Sequence, residues 1–467
     1  MKKASVPKLN LQVKASVWYI AANVISRGLG FVFTPVFTAL LLPEEYGIYS
    51  LYVGLLGIFT VLVTLEISGS VAYRGIRKFE DAGVDNFILY ALGIESLIAL
   101  SLFSVYMIFR RRINGIFGLG TPFFAMLFAE IFLTAAEGLY FAKKRYLGEY
   151  KPVFWLNVSA GILTPVLAIL FIRLGMGGVS RILALLVSSL VITAPLIFDM
   201  LKRGSSLVSA RVWRYILSLS VPILPHYLSL SVIAQADKVI ISRIVGGAAL
   251  AKYSVAYSVG LLVSLISGGL SLSITPWGLR KLGEGKDSLV ADAIFAAAKA
   301  VSLATLLFLT VLPEIFTLAA APEYREALPV AYTVAASVIF SFLSSLLTVF
   351  ILHSEKIGLI TLTSSLSALG CIFITVFLVD KLGYIGGAYS TVISYFMLFL
   401  LCLWASKRAT GRTVLSLKKS FGLIAVTLLF ETLIFLLRNS LISRIMLLVA
   451  IVLIALPELS RTRRLIT

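Results

Sequence analysis

Long apolar runs alternate with short polar stretches from one end of this chain to the other. A run of about 20 residues rich in Leu, Ile, Val and Phe is long enough to cross a bilayer, since helical rise of about 1.5 Å per residue matches a hydrocarbon core of about 30 Å. About fourteen such segments are expected. They are centred on residues 15–41, 47–72, 87–109, 122–142, 152–172, 180–201, 214–244, 252–277, 290–313, 329–352, 357–379, 385–405, 420–437 and 442–457. The polar stretches between them are too short for a soluble domain. The pattern predicts an all-α integral membrane fold, with function lying within or across the bilayer.

Composition supports that reading. The chain is 59% hydrophobic and 13% charged, whereas a soluble domain carries about 25% charged residues. A net charge of +19 would suit a nucleic-acid partner if it were gathered on one face. It is instead distributed by topology. With the N-terminus cytoplasmic, the inner stretches hold more than twice as many Lys and Arg as the outer ones, as the positive-inside rule requires. Lys2, Lys3, Lys8 and Lys14, then Lys143, Lys144 and Arg145, then Lys202 and Arg203, then Lys407, Arg408 and Arg412 are the inner clusters. They sit well against anionic membrane lipid, and no nucleic acid is expected. Arg110, Arg111 and Arg112 fall outside and break the pattern, which makes the third and fourth segments the weakest part of the topology. The basic N-terminus and long first segment predict an uncleaved signal anchor in a multi-pass protein of the plasma or inner membrane. Cys371 and Cys402 both lie in apolar segments, where a thiol acts as a small hydrophobe, so no disulfide framework or metal site is implied.

Polar residues deep in apolar segments are the candidate chemistry. Arg27 lies about twelve residues into the first segment, roughly 18 Å deep. A guanidinium cannot lose its proton there, so it should face a wet cavity or an anionic partner. A substrate-contacting role is expected for Arg27, grouped with Asn23, the alternative being a structural pairing with a carboxylate. His226, Glu95, Glu130 and Glu431 also fall near mid-bilayer. His226 follows Pro222 and Pro225, which remove helix hydrogen-bond donors and should kink the seventh segment as Pro35 kinks the first. Such kinks are natural gates, and an imidazole that titrates near neutrality could couple transport to protons. Lys299 is a further candidate cation, with a stem long enough to snorkel to the cytoplasmic side. Asp237 and Lys238 come late in the seventh segment and are expected, with Arg243, at the external interface. Glu95 and Glu130 belong to segments expected to serve structure or coupling. Glu314, Glu323 and Glu326 read as solvated loop charges. No HExxH, Walker loop or GxSxG occurs, so neither an enzyme nor an ATP-driven pump is expected.

The chain also repeats itself. Tyr49-Ser50-Leu51 finds a counterpart in Tyr253-Ser254-Val255, and Leu174-Gly175-Met176-Gly177-Gly178 in Leu382-Gly383-Tyr384-Ile385-Gly386-Gly387. Six segments per repeat give both copies the same orientation, a pattern that points to two lobes flanking a pathway. The expected boundaries are 1–209, 210–412 and an accessory pair of segments in 413–467.

Ser26-Arg27-Gly28-Leu29-Gly30, Thr34-Pro35 and Pro43-Glu44-Glu45-Tyr46-Gly47-Ile48-Tyr49 resemble the opening of polysaccharide flippases of the Wzx type, within the multidrug/oligosaccharidyl-lipid/polysaccharide (MOP) exporter superfamily. Ser220-Val221-Pro222, Asp237-Lys238, Tyr253-Ser254 and Gly386-Gly387-Ala388-Tyr389 continue the resemblance in the family's order. It implies two six-helix lobes around a central cavity, alternating access, and a polyprenyl phosphate or pyrophosphate carrying a short glycan as substrate. Arg27 falls where the lipid II flippase of the same superfamily shows a similar Ser-Arg-x-x-Gly pattern. The resemblance implies no cofactor, leaves coupling to H+ or Na+ open, and allows polysaccharide polymerase or assembly proteins as partners of a monomer. The rival readings are a MATE-like exporter of organic cations, which would want acids where Arg27 stands, and a non-transporting scaffold of an assembly complex.

Overall fold

The computed structural model describes residue 18, residue 25 and residues 28–451, and the described residues are helical almost throughout. By internal contacts the chain divides into Met1–Ala251 and Lys252–Thr467.

The first unit runs through α1 (Thr34–Leu40), α2 (Pro43–Thr64), α3 (Ala72–Lys78), α4 (Val84–Phe117), α5 (Thr121–Tyr146), α6 (Tyr150–Arg173), α7 (Ser180–Arg203) and α8 (Ala210–Ile244). Helix α9 (Gly247–Gly260) leads into the second unit, which holds α10 (Ser264–Gly283), α11 (Asp287–Ala319), α12 (Leu328–His353), α13 (Ile357–Leu382), α14 (Tyr384–Thr410) and α15 (Leu417–Leu436). A short apolar helix, α16, covers Leu441–Ile451. Among the described residues twelve helical spans are long and apolar enough to cross a membrane, with Gly28–Leu40 and Leu441–Ile451 as shorter apolar helices. The chain is a multi-pass integral membrane protein.

Local chemistry sets the boundaries. Pro43 opens α2, where its missing N–H costs nothing, and Glu45 Oε2 accepts the Leu42 N–H at 3.1 Å. Ser209 and Ser416 cap α8 and α15 by accepting from Val212 and Lys419. Helix α4 ends on Gly118 at φ 71°, in the left-handed region that glycine enters freely. The third segment therefore continues to Phe117 and carries Arg110–Arg112 on helix, although the expected segment ended at residue 109. The sequence reading of α2 and of the eighth segment as single helices is also corrected. Helix α2 breaks at Leu65 and Glu66 into a π-helical turn, Ile67–Val71, and the eighth segment breaks at the 3-10 turn Leu261–Val263.

Lipid tails are as apolar as leucine, so burial from water drives helix packing weakly and close contact of small residues matters more. In the first unit Gly54 and Gly57 let α2 approach α8, where the Ser231 hydroxyl donates to the Gly57 carbonyl at 2.8 Å. A core of Ile67, Ile76, Phe87, Ile88, Leu139, Met200 and Ile216 gathers α3, α4, α5, α7 and α8. In the second unit α12 is central: its span is 83% buried, against 11% for the peripheral α6 of the first unit.

Candidate functional site

Glu95, Glu130 and Tyr52 are buried in the first unit, with the half-buried Glu66 and Tyr227 near them. Glu95 on α4 is 1% exposed, and neither of its oxygens has a hydrogen-bond partner among the described residues. Glu130 on α5 is also buried. Its Oε1 accepts from the Ser189 hydroxyl at 2.6 Å, while Oε2 has no partner. The Tyr52 hydroxyl on α2 is buried, unbonded and within electrostatic reach of Glu130. Glu66 lies in reach of Glu95 and of Tyr227 on α8. Removing a lone carboxylate from water costs several kcal/mol, so a buried carboxylate oxygen without a donor is a costly feature. No three or more His, Cys, Asp or Glu among the described residues form a metal-binding group. The chemistry available is exchange of protons or of a weakly held cation.

Backbone strain brings Glu66 into this set. Leu65 and Glu66 are consecutive non-glycine residues at φ 47° and 52°, a conformation costing roughly 1–2 kcal/mol per residue. Leu65 stays packed at 5% exposure. The turn redirects the chain before α3, and strained backbone of this kind collects where an element switches.

Helix α8 carries Pro222, Pro225, His226, Asp237 and Lys238, all singled out by sequence. Pro222 and Pro225 are exposed and sit inside one continuous helix, with the Ser229 hydroxyl donating to the Pro225 carbonyl at 2.6 Å. His226 is half-buried beside the Tyr227 ring, 5.3 Å between centroids. Asp237 is 1% exposed, and its Oδ1 accepts the Lys238 backbone N–H at 2.7 Å. Lys238 lies against Gly54 and donates to Gln235 Oε1 at 2.7 Å. Arg27 and Asn23 lie outside the described residues. Pro35 sits in the first turn of α1, just after a break at Phe33, where the Thr34 hydroxyl bonds the Gly30 carbonyl at 3.1 Å.

The second unit holds Lys299, half-buried with its Nζ 4.9 Å from the centre of the Phe295 ring, and Glu431, buried with Oε1 unbonded. Two expected loop charges are partnered there. Glu314 belongs to α11 and forms a two-point pair with Arg444 of α16, at 2.8 and 2.5 Å. Glu326 binds Lys252 at 2.8 Å and the Tyr384 hydroxyl at 3.3 Å.

The sequence reading passed over Arg181. It stands in the first turn of α7, where a cation opposes the helix dipole, and its guanidinium lies 3.6 Å from the Tyr49 ring centre, 4.4 Å from Phe37 and 4.6 Å from Tyr46. Its Nη1 is buried without a hydrogen-bond partner, and no carboxylate among the described residues pairs with it. Stacking on aromatic faces replaces an ion pair. The cage is assembled from three separate segments, so no local motif announces it.

A family model for polysaccharide biosynthesis proteins matches residues 13–277. No curated protein matches the sequence. Among solved structures the chain is similar to the lipid II flippase MurJ in an inward closed conformation, with a TM-score of 0.68 and 14% identity over 96% of this chain and 99% of that one. It is similar to an inward-facing multidrug resistance MATE family transporter of the MOP superfamily, with a TM-score of 0.65 and 16% identity over 84% of this chain and 95% of that one. A MOP superfamily transporter from Pyrococcus furiosus gives a TM-score of 0.59 and 18% identity over 87% of this chain and 99% of that one. The shared feature is the fold of MOP transporters.

Proposed function

The chain belongs to the polysaccharide biosynthesis protein family, and from that premise we propose that it flips a polyprenyl phosphate- or pyrophosphate-linked oligosaccharide from the cytoplasmic to the outer leaflet by alternating access. The family match over a MOP-type fold carries this reading. Such a substrate keeps its tail in lipid while its glycan must cross hydrocarbon. Each bare hydroxyl costs several kcal/mol to desolvate, so a carrier with a wet interior is needed rather than an enzyme. Arg27 supplies the counter-charge, since an arginine fork fits phosphate oxygens at two points. Asn23, His226 and Lys299 are further substrate contacts in this reading, with Pro35, Pro222 and Pro225 as gates. The protein acts as a monomer in the plasma or inner membrane with its N-terminus cytoplasmic, delivering substrate to polymerase or assembly proteins.

The test is flipping of a lipid-linked oligosaccharide in proteoliposomes, scored by accessibility of the glycan outside. Arg27→Ala should slow it about 10- to 100-fold, the equivalent of one lost charge-assisted contact, and Arg27→Lys should retain part of the rate. Equal rates in wild type and both variants would remove Arg27 from the mechanism. A folded wild type that flips nothing would refute the substrate assignment. The buried acids of the first unit favour a second reading, an exporter of organic cations, which the same vesicles test with a fluorescent cationic dye.

A further inference from the structure

Asp85 opens α4 and pairs with Lys143 of α5 at 2.6 Å, and Lys143 in turn lies 3.9 Å from Asp199 near the end of α7. This ion-paired layer marks one membrane face. Arg110 lies 25 residues further along the same unbroken helix, or about 38 Å away at 1.5 Å per residue. A bilayer is about 40–45 Å thick with its headgroups, so Arg110, Arg111 and Arg112 stand in the headgroup layer of the opposite leaflet. All three side chains are exposed, and among the described residues none forms an ion pair. Arg243, exposed at the end of α8, lies further along, its Nη1 3.4 Å from where a side chain on Gly118 at the end of α4 would begin.

The end of α4 that carries the patch is held against α5. Tyr106, Asn114 and Thr121 form a hydrogen-bonded chain with links of 2.9 and 3.1 Å. The Tyr106 ring stacks on Phe124 at 4.6 Å, which holds the end of α4 against α5. Beside the arginines, Met107, Ile108 and Phe109 are exposed, Ile108 to 75%. A ligand reaching these cations must tolerate hydrocarbon on one side and carry negative charge at headgroup depth.

We propose that the end of α4 carrying Arg110, Arg111 and Arg112 is a docking surface for the phosphate headgroups of anionic phospholipid in the leaflet opposite the Lys143 face. Forked guanidinium groups on a fixed helix bind phosphate oxygens at two points, and the flanking apolar side chains lie along the acyl chains. The site is independent of which substrate is carried.

The test is native mass spectrometry of the full chain, purified in mixed micelles holding phosphatidylglycerol and phosphatidylcholine of the same acyl chains. Wild type should retain phosphatidylglycerol preferentially, and the preference should weaken as NaCl is raised from about 0.1 to 0.5 M, as screening requires. Arg110→Gln/Arg111→Gln/Arg112→Gln should reduce the preference about tenfold or more. The corresponding triple Lys variant should retain most of it. Unchanged preference in the Gln variant, equal loss in the Lys variant, or a salt-independent wild type would overturn the proposal. Displacement of the lipid by millimolar inorganic phosphate would assign the patch to a free anion and overturn the lipid assignment.

Discussion

Single residues hold this fold where backbones touch. Gly47, in the first turn of α2, lies against the Gly247 carbonyl so closely that any side chain would overlap it. Gly47→Ala must therefore push α2 from that turn, and overpacking of this kind costs about 1–3 kcal/mol. A fall in thermal unfolding temperature in detergent is expected. An unchanged midpoint would show that the turn yields freely. Arg181 invites the opposite outcome. Its charge has no carboxylate partner and opposes the α7 dipole, while Tyr46 and Tyr49 favour it, so Arg181→Met, which keeps the packing among Phe37, Tyr46 and Tyr49, weighs the cost of the charge against those contacts. Stability should hold or rise. A drop of more than about 2 kcal/mol would mean that the cation–π contacts outweigh the unpaired charge.

At the scale of elements, the break after α2 is the structural event that brings the half-buried Glu66 within reach of Glu95. Asparagine enters the left-handed region more readily than glutamate, so Glu66→Asn should leave stability unchanged or raise it by up to about 1 kcal/mol. A marked loss of stability would show that the Glu66 side chain, rather than the backbone turn, holds the segment. Helix α16 docks onto α11 through the Arg444 and Glu314 pair. Glu314 is nearly half exposed, so solvent screening limits the pair, and Arg444→Ala should cost about 1–2 kcal/mol. The double variant with Glu314→Ala should recover part of that, and strict additivity of the two would deny the coupling.

These elements also show what the chain's pattern reveals. Segment number and type were legible because the bilayer fixes the length of an apolar run. The end of α4 was not, because three arginines look like a loop although a helix can carry them through the headgroup layer. The α2 break has no Gly or Pro at Leu65 or Glu66 to announce it. Asp237 shows a different gap: counting residues estimates depth along the membrane normal, whereas burial depends on which neighbour covers the side chain. Arg181 was hidden because its three aromatic partners are supplied by α1 and α2, far from it in sequence.

For the whole molecule, the unbonded acids raise the question of what drives transport. In the proposed function, net movement of a lipid-linked glycan in one direction needs a free-energy source, and the chain carries no Walker loop with which to use ATP. Glu95 and Glu130 come from two helices of one unit and have acceptor oxygens to spare, the property needed to take up a proton or cation on one side and release it on the other. If they serve that exchange, flipping in proteoliposomes should accelerate under an imposed H+ or Na+ gradient, and collapsing the gradient with an ionophore should return it to the basal rate. Gln is nearly isosteric with Glu, and at position 130 it keeps an acceptor for the Ser189 hydroxyl. Glu95→Gln and Glu130→Gln should therefore fold normally, keep basal flipping and lose the stimulation. Wild-type flipping that ignores both gradients would remove the acids from coupling. Stimulation that survives in both Gln variants would move the coupling site elsewhere, to His226 or to Glu431 in the second unit, each testable by its own Gln variant in the same vesicles.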